Sequence, residues 1–457
     1  MTKLTPLILD TRRQIMRTSS ILFLVQLFGA LGAGFFFVVQ NILGVENLLG
    51  ALEPANEPIL WFLMFWATDF FFIAMCALLC YLIAGLPGLT PGLALPIYFA
   101  HFAGHYPVHA EETYFEFFST PLRNGGGVNI GWLGYFVMAL FCALLIKLLF
   151  AGWHWLKAKA GDKQVHKKLK LSWHQLLDQV DLIVLVLIIP VCSAALTFVL
   201  VRYGIQLPFS AIGAAVLEPL LALSQTSIVL VGILFGLMIG FDVVGPMSMA
   251  AFGVAAASFA QGDARLLTIY GAAFVAVGWS PLFLFILSKI FKRVKTDNDD
   301  LNLAVSGPIN AFFENMKLTV AFSMPFAMRS PFAFIPGLMA GSAATGGLVA
   351  LFGIVNNTYL TEPPLYAPHM AMSELLQRGE VYLSFTLPLR SGDWWSVRIP
   401  LAIMILVGGA IGGTVMYFLR AWFVKGQQRR GTYVEPTGDI VLKMRDLARQ
   451  RLADLKS

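Results

Sequence analysis

The sequence predicts an all-α membrane protein, a polytopic helical bundle of about ten crossings with broken or re-entrant segments. Of its 457 residues 58% are apolar and 13% are charged, whereas about 25% of the residues of a soluble domain are charged. Several apolar runs reach roughly 20 residues, the length that a helix needs to cross the hydrocarbon core. These runs are Ile21–Gln40, Pro58–Ala84, Gly131–Phe150, Leu182–Val201, Ser227–Gly245, Leu267–Ile290, Phe332–Val355 and Val397–Phe423.

Basic residues cluster just outside the apolar runs, and the positive-inside rule places such clusters in the cytoplasm. The clusters are Arg12, Arg13 and Arg17, then Lys157, Lys159, Lys163, Lys167, Lys168 and Lys170, then Lys289, Lys292, Arg293 and Lys295, and finally Arg420, Lys425, Arg429 and Arg430. Both termini are therefore expected in the cytoplasm, on the inner face of a bacterial inner membrane. These clusters also account for the net charge of +6, so we expect contact with membrane lipid and no nucleic-acid partner.

The pattern divides the chain into a cytoplasmic segment 1–20, a transmembrane domain 21–423 and a cytoplasmic tail 424–457. No small-residue cleavage site follows the first basic cluster, so the first run is expected to stay in the membrane. The domain contains two long loops, 104–130 and 356–396, and loops of that length in a compact fold are often functional.

Small residues and cysteines within the apolar runs have structural interpretations. Cys76, Cys80, Cys142 and Cys192 are expected to pack as small buried side chains, with Cys76 and Cys80 on one helix face and a redox role as the weaker alternative. Repeated glycines predict close helix packing. They are Gly341, Gly346, Gly347, Gly408, Gly409, Gly412 and Gly413.

Proline and glycine interrupt the apolar sequence at three places, Gly85–Pro96, Gly240–Met249 and Met324–Gly337. The first stretch carries too many prolines and glycines for one regular helix. Broken helices persist at membrane depth only where protein or a water-filled cavity covers their free backbone groups. We therefore expect the three breaks to fold inward and to share one polar substrate chamber.

Two ionisable residues, Asp242 and Arg329, lie at the second and third breaks. A charge at membrane depth costs several kcal/mol unless it is paired or wetted, so both are candidate site residues. The alternative is that they form a structural ion pair with each other. Asp69 is a third intramembrane charge and ranks lower, because it can lie near an interface.

Three histidines, His101, His105 and His109, recur every four residues, a spacing that aligns metal ligands on a helix. Gly104 and Pro107 interrupt that helix, so metal binding, as in a membrane enzyme or metal protein, is the weaker alternative. The sequence predicts no metal site and no cofactor.

At the breaks the sequence resembles the fructose-type membrane component, enzyme IIC, of bacterial phosphotransferase systems. Gly85–Leu93 is similar to a Pro-Gly-Leu-x-Pro-Gly stretch of that family, and Val229–Phe252 to its Phe-Asp followed by Gly-Pro. Met324–Ala343 resembles its Pro-Phe-Ala … Ile-Pro … Gly-Ser-Ala segment, and Ala367–His369 its Ala-Pro-His. The blocks occur in family order, which identifies the chain as a divergent member.

The resemblance implies a homodimeric permease that binds a sugar and presents it for phosphorylation by a separate IIB protein, itself supplied by IIA. The chain would then be at most the membrane component of a sugar phosphotransferase, because no phosphoryl-carrying domain is recognisable in it. The implied substrate-binding residues are Asp242, Gly245, Pro246, Ser248, Pro325, Arg329, His369 and Thr90. His369 could orient the sugar or assist removal of a hydroxyl proton, or be a loop histidine without a role.

The sequence departs from the family pattern at three of the blocks, and at one of them Met370 and Ala371 follow Ala-Pro-His where the family has glycines. Val320, Ala321 and Phe322 replace a Thr-Glu-Gly, and Met247–Met249 replaces a Val-Asn-Lys. Because a family carboxylate and a family cation are missing, a second hypothesis remains open. It is a phosphorylation-independent transporter of a small polar solute on the same fold, facilitated or ion-coupled, with Asp242 or Asp69 as the coupling carboxylate.

Overall fold

The computed structural model describes residues 4–37, 72–99, 130–160, 164–166, 171–243, 245–260, 262–296, 300–302, 304–305, 307–308, 324–357 and 393–434. In this part of the chain the elements are α1 (Leu4–Phe37), α2 (Phe72–Ala84), α3 (Leu86–Ile97), α4 (Gly131–Ala160), β1 (Gln164–His166), β2 (Leu171–Ser172), α5 (Trp173–Ile183), α6 (Ile189–Val201), α7 (Leu207–Ser224), α8 (Ile228–Phe241), α9 (Pro246–Ala260), α10 (Arg265–Phe291), α11 (Pro331–Leu351) and α12 (Ile399–Arg429). The two strands form a short antiparallel hairpin. Single π-helical turns, Val184–Ile188 and Arg202–Gln206, join α5, α6 and α7 into one rod, and a third, Trp394–Arg398, precedes α12.

Within the described residues, five helices are long and apolar enough to cross a membrane. They are α4, the α5–α7 rod, α10, α11 and α12 with its preceding turn. The shorter apolar helices α2, α3, α8 and α9 add to the bundle. The predicted all-α membrane fold is therefore confirmed, while the total of about ten crossings stays a prediction.

Glycines bring α8 and α11 into backbone contact. A Cβ on Gly232 would overlap the carbonyl of Gly346, one on Gly236 would overlap the backbone of Ser342, and one on Gly240 would overlap the backbone at Met339. Since residue numbers rise along α8 while they fall along α11, the two helices are antiparallel. Their axes lie closer than larger side chains would allow, as expected where dispersion contacts hold membrane helices together.

The same small-residue packing joins α11 to α12, and α12 to α10. A Cβ on Gly341 would lie 2.8 Å from the carbonyl oxygen of Gly408, and one on Gly413 would lie 2.7 Å from that of Ser280. The glycines singled out in the sequence thus form packing faces, as predicted. Helix α10 is buried on all sides along most of its length, and its Thr268 hydroxyl donates to the Ala264 carbonyl within its own helix at 2.8 Å.

The first break differs from its prediction. Backbone irregularity is confined to Gly85, whose φ of 77° is readily adopted only by glycine, and the following residues form α3 with Pro91 and Pro96 inside it. Helix α3 folds back on α2, where Gly88 abuts the Cys80 carbonyl. The prediction that this stretch forms no regular helix was wrong. Pro91 and Pro96 each remove one backbone donor, but the close packing of α3 on α2 outweighs that loss.

Cysteines of α2 face α4, as the four-residue spacing predicted. The thiol of Cys76 lies 3.5 Å from the Tyr135 carbonyl oxygen, and that of Cys80 lies 3.3 Å from the Ala139 carbonyl oxygen. Both side chains and Cys142 are buried, whereas Cys192 is exposed on α6. Thiol-to-carbonyl contacts of this kind fix the register of α2 against α4.

A buried ion network holds the third break. Arg329 ends a short helical turn over 324–329, and its Nη1 donates to Asp300 at 2.8 Å. Its Nε and Nη2 donate to the hydroxyls of Ser19 and Ser20 on α1, each at 2.8 Å. Arg420 of α12 lies 3.7 Å from the same Asp300 carboxylate. The network therefore joins α1, the segment at residue 300, the break and α12.

Helix α1 also contacts the end of α12. Arg12 donates to the Thr432 carbonyl at 2.6 Å and to Gln427 at 2.8 Å, and Asp10 pairs with Lys147 of α4 at 3.0 Å. The N-terminal helix and the end of α12 thus lie at one end of the bundle, together with the basic end of α4. The cytoplasmic assignment of that end, and a domain boundary at residue 20 within the continuous α1, stay predictions.

We expect Gly236→Ala to destabilise the protein by about 1–3 kcal/mol, because the added methyl group overlaps the α11 backbone. The matched control is Gly426→Ala on α12, where nothing lies within 4 Å of the added carbon and the helix propensity of alanine is the main effect. Thermal unfolding of both purified variants in detergent measures the difference. A Gly236→Ala protein as stable as Gly426→Ala would contradict the close α8–α11 contact.

Arg329→Gln should cost about 3–5 kcal/mol, since it leaves the buried Asp300 carboxylate short of its closest partner. The control is Arg265→Gln, which breaks a surface pair with Asp263 worth at most about 1 kcal/mol. Hydrogen bonds from Arg265 hold the pKa of Asp263 below its usual value, so that pair is intact at neutral pH. The readout is the thermal midpoint at pH 7, and equal losses in the two variants would refute a special role for the buried network.

Candidate functional site

The second break is a tight turn between two helices. Helix α8 ends at Phe241, and Asp242 leaves helical geometry with φ −137° and ψ 68°. The Gly245 amide donates back to the Asp242 carbonyl at 2.9 Å, and α9 then begins at Pro246. A proline suits this first helical position, because its missing N–H has no helical partner there. The turn therefore gives Asp242 and Gly245 fixed positions inside the bundle.

The Asp242 side chain is buried with one hydrogen bond. It is 5% exposed, and its Oδ2 accepts from the Met247 amide at 3.3 Å. Among the described residues no Lys, Arg or His side chain pairs with it. An ionised carboxylate has about four acceptor positions, and burying it with one filled is costly. The described residues thus supply few donors to this carboxylate.

Two glycines give the carboxylate its space. A Cβ on Gly131, the first residue of α4, or on Gly245 would overlap the Asp242 carboxylate. Gly131 also has a φ of 70°, so a side chain there would be strained as well as crowded. The N-terminal ends of α4 and α9 consequently meet at Asp242, and the partial positive charge of a helix N-terminus favours an anion at this point.

Trp132 joins the second break to the third. Its amide donates to the Val243 carbonyl in the Asp242 turn at 3.4 Å, and its indole packs edge-on against Phe334 with ring centroids 6.1 Å apart. Phe334 belongs to the first turn of α11, which Ser330 begins after the break, and its amide donates to the Ser330 carbonyl at 2.9 Å. The second and third breaks are therefore neighbours, which is one part of the predicted arrangement, while a chamber shared by all three breaks stays a prediction.

The first break lies elsewhere along α4. Gly88 abuts Cys80, and Cys80 contacts Ala139 of α4. At a rise of 1.5 Å per residue, Ala139 lies about 10 Å further along α4 than Trp132. Gly85 is displaced further in the same direction, since Gly92 is level with Cys76. Thr90, a predicted site residue, is exposed on α3, and no described contact joins it to the Asp242 turn.

The other predicted site residues have varied surroundings. Ser248 is fully buried and shares a 3.1 Å hydrogen bond with Tyr270, within an aromatic cluster of α8, α9 and α10. Pro325 is buried in the helical turn that Arg329 ends. The structure pairs Arg329 with Asp300 and not with Asp242, so the alternative of an Asp242–Arg329 ion pair is wrong. His369 lies outside the described residues.

Sequence reasoning missed Gly131, Trp132 and Asp300. Gly131 and Trp132 open an apolar run after a glycine-rich loop, which is a weak signal for a contact with a turn more than 100 residues later. Asp300 belongs to an acidic stretch after the third basic cluster, a pattern typical of a solvated loop. Among the described residues no three His, Cys, Asp or Glu side chains form a metal-binding group, and His101, His105, His109 and Asp69 lie outside them.

Comparison with known proteins connects the chain to fructose phosphotransferase components. It is 30% identical over 197 residues to the PTS system fructose-specific EIIB'BC component of Vibrio cholerae, covering 42% of this chain and 30% of that protein. It is 29% identical over 172 residues to the PTS system fructose-specific EIIABC component of Bacillus subtilis, covering 37% and 25%. It is 26% identical over 193 residues to the Fructose-like permease IIC component 2 of Escherichia coli, covering 42% and 51%.

The matched region spans between a quarter and about half of the length of these relatives. No protein-family model matches the chain, and no solved structure matches it. The relatives that match are thus fructose-type components of phosphotransferase systems, at moderate identity over about two fifths of this chain.

Proposed function

We propose that the protein is a sugar permease of the phosphotransferase IIC-like type, in a bacterial inner membrane with both termini in the cytoplasm. Three kinds of observation support the proposal. The fold supplies apolar helices long enough to cross a bilayer, the relatives are named as fructose or fructose-like transport components, and the basic start of α1 contacts the basic end of α12. Basic segments of this kind favour the cytoplasmic side.

The observation that carries the proposal is the buried Asp242 carboxylate. It lies at a helix break with spare acceptor capacity, between the first residues of α4 and α9. Sugar hydroxyls are neutral donors that fill such positions without bringing a full charge into the membrane. We therefore assign Asp242 as an acceptor for sugar hydroxyls, with Gly131 and Gly245 making the space that its carboxylate occupies.

Other predicted residues take supporting roles in this proposal. Pro246 starts α9 and Ser248 ties that helix to α10, so both position the Asp242 turn. Arg329 and Pro325 stabilise the third break, because the guanidinium is already engaged by Asp300, Ser19 and Ser20. His369 and Thr90 remain predicted site residues. Separate IIA and IIB proteins, and a second copy of the chain, are the proposed partners.

A second candidate is phosphorylation-independent transport of a small polar solute. Two features favour it. Val320, Ala321 and Phe322 stand where the resembling family has an acidic residue, and Asp242 has no cationic partner among the described side chains. A carboxylate without a fixed counter-ion can bind and release a proton or another cation as its surroundings change, which is what ion-coupled transport requires.

Asp242→Asn should reduce uptake of D-fructose at least about tenfold, because an amide replaces one charged acceptor oxygen with a donor. The measurement is uptake of labelled sugar into proteoliposomes that contain equal amounts of folded protein and are supplied with cognate IIA and IIB proteins and their phosphoryl donor. Asp263→Asn is the matched control, since this aspartate lies outside the bundle and pairs with exposed Arg265, and its uptake should equal that of the unaltered protein. Full uptake by Asp242→Asn would refute the assignment.

Uptake should depend on a phosphoryl donor chain if the leading proposal is right. We expect sugar phosphate inside the vesicles only when cognate IIA and IIB proteins and their phosphoryl donor are supplied, because in this proposal those separate proteins carry the phosphoryl group. Mass spectrometry of the vesicle contents distinguishes sugar from sugar phosphate. Unmodified sugar accumulating at the same rate without the donor chain would favour the second candidate.

A further inference from the structure

The indole of Trp132 has an unusual position for a tryptophan. Its side chain is 0% exposed, and its Nε1 has no hydrogen-bond partner among the residues that the structure describes. Its ring is held by Phe334 and Phe136, with centroids 6.1 and 6.4 Å away, so the ring is fixed while its donor is left unused. On the same helix, the Nε1 of Trp153 donates to Asp181 at 2.6 Å.

A buried donor without a partner destabilises the protein. Buried tryptophan N–H groups usually find an acceptor, and an unsatisfied one carries the full cost of removal from water. A phenylalanine at this position would fill much of the same apolar space without that cost. The exceptions that persist at buried sites call for an explanation, and a bound ligand is one of the ordinary explanations.

A carboxylate with few hydrogen-bond donors among the described residues, that of Asp242, lies near Trp132. Gly131, the residue before Trp132, abuts the Asp242 carboxylate, and the Trp132 amide is bonded to the carbonyl of Val243, the residue after Asp242. The unused indole donor of Trp132 and the incompletely used carboxylate of Asp242 thus belong to two segments that touch, 131–132 and 242–243. Rings of Trp132 and Phe334 flank the same junction of the second and third breaks.

We infer that the Trp132 indole N–H donates a hydrogen bond to a hydroxyl of the transported substrate, next to the hydroxyl that donates to Asp242. This inference rests on the proposed function and names the substrate class of the site as a neutral polyol. A hydroxyl both accepts and donates, so adjacent hydroxyls satisfy the indole and the carboxylate together. Apolar C–H faces of a sugar ring suit the flanking aromatic rings.

The same pair of groups disfavours charged ligands. A ligand carboxylate would accept from Trp132 but would be repelled by Asp242. A metal cation or an amine would suit Asp242 but would leave the indole N–H unsatisfied. Trp132 and Asp242 together therefore favour hydroxyl compounds, because an acid meets one unfavourable contact at Asp242 and an amine meets one at Trp132. Trp132 is in this sense a specificity-determining residue.

The test compares proteins that differ only at one indole N–H. Trp132→Phe removes the donor, and incorporation of 3-benzothienylalanine at position 132 replaces the N–H by sulfur while keeping the ring shape. The control is Trp153→Phe on the same helix, remote from the Asp242 turn. Equilibrium binding of D-fructose and of its singly deoxygenated analogues is measured for each protein in detergent, together with the thermal midpoint without sugar.

We expect both changes at position 132 to weaken D-fructose binding about tenfold, the effect of one hydrogen bond, with the thermal midpoint unchanged or raised. Trp153→Phe should bind D-fructose as the unaltered protein does. One deoxygenated analogue should bind equally to the unaltered protein and to the benzothienyl variant, because it lacks the hydroxyl that accepts from the indole. The benzothienyl variant decides the question if Trp132→Phe does not fold.

Two results would overturn the inference and leave the proposed function intact. One is unchanged D-fructose binding by the benzothienyl variant while Asp242→Asn binds poorly. The other is an equal loss for every deoxygenated analogue, which would make the effect one of packing. An unaltered protein that binds neither D-fructose nor a related polyol would refute the proposed function and this inference together.

Discussion

The contact between the Asp242 carboxylate and the backbone of Gly131 is the constraint around which the ends of several helices are arranged. The carboxylate lies where α8 ends and where α4 and α9 begin, and any side chain at residue 131 or 245 would overlap it. Removing the space that those two glycines leave would separate α4 from the turn. It would also move Trp132 away from Phe334, and with it the link between the second and third breaks.

The surrounding helices are well suited to hold such a contact in place. α8, α10, α11 and α12 pack through glycines and small hydroxyl residues, so their backbones fit closely and resist small shifts. In contrast, the α5–α7 rod presents many large apolar side chains to its surroundings, among them Leu182, Val186 and Tyr203. The closely packed part of the described bundle is thus the part that carries the Asp242 turn.

Much of this arrangement was predictable from the sequence, and the reasons for the exceptions are physical. Asp242 could be found because an acidic residue within apolar sequence is rare and costly. The helix over Leu86–Ile97 could not be predicted from its prolines, because a proline count reports only the local backbone hydrogen bonds that are lost. The helix is stabilised by the packing of Gly88 and Gly92 on α2. The partner of Arg329 was missed for a similar reason, since Asp300 is recognisable as buried only after α1, α11 and α12 have come together.

The contacts of α1 have a consequence for biosynthesis. Arg12, Ser19 and Ser20 of α1 are synthesised long before their partners Arg329, Gln427 and Thr432. Until those partners have been made, the polar groups of α1 have to be accommodated by water, lipid headgroups or the insertion machinery. All of these contacts of α1 can form only after residue 432 has been synthesised, so a nascent chain stalled before residue 427 remains open at this end.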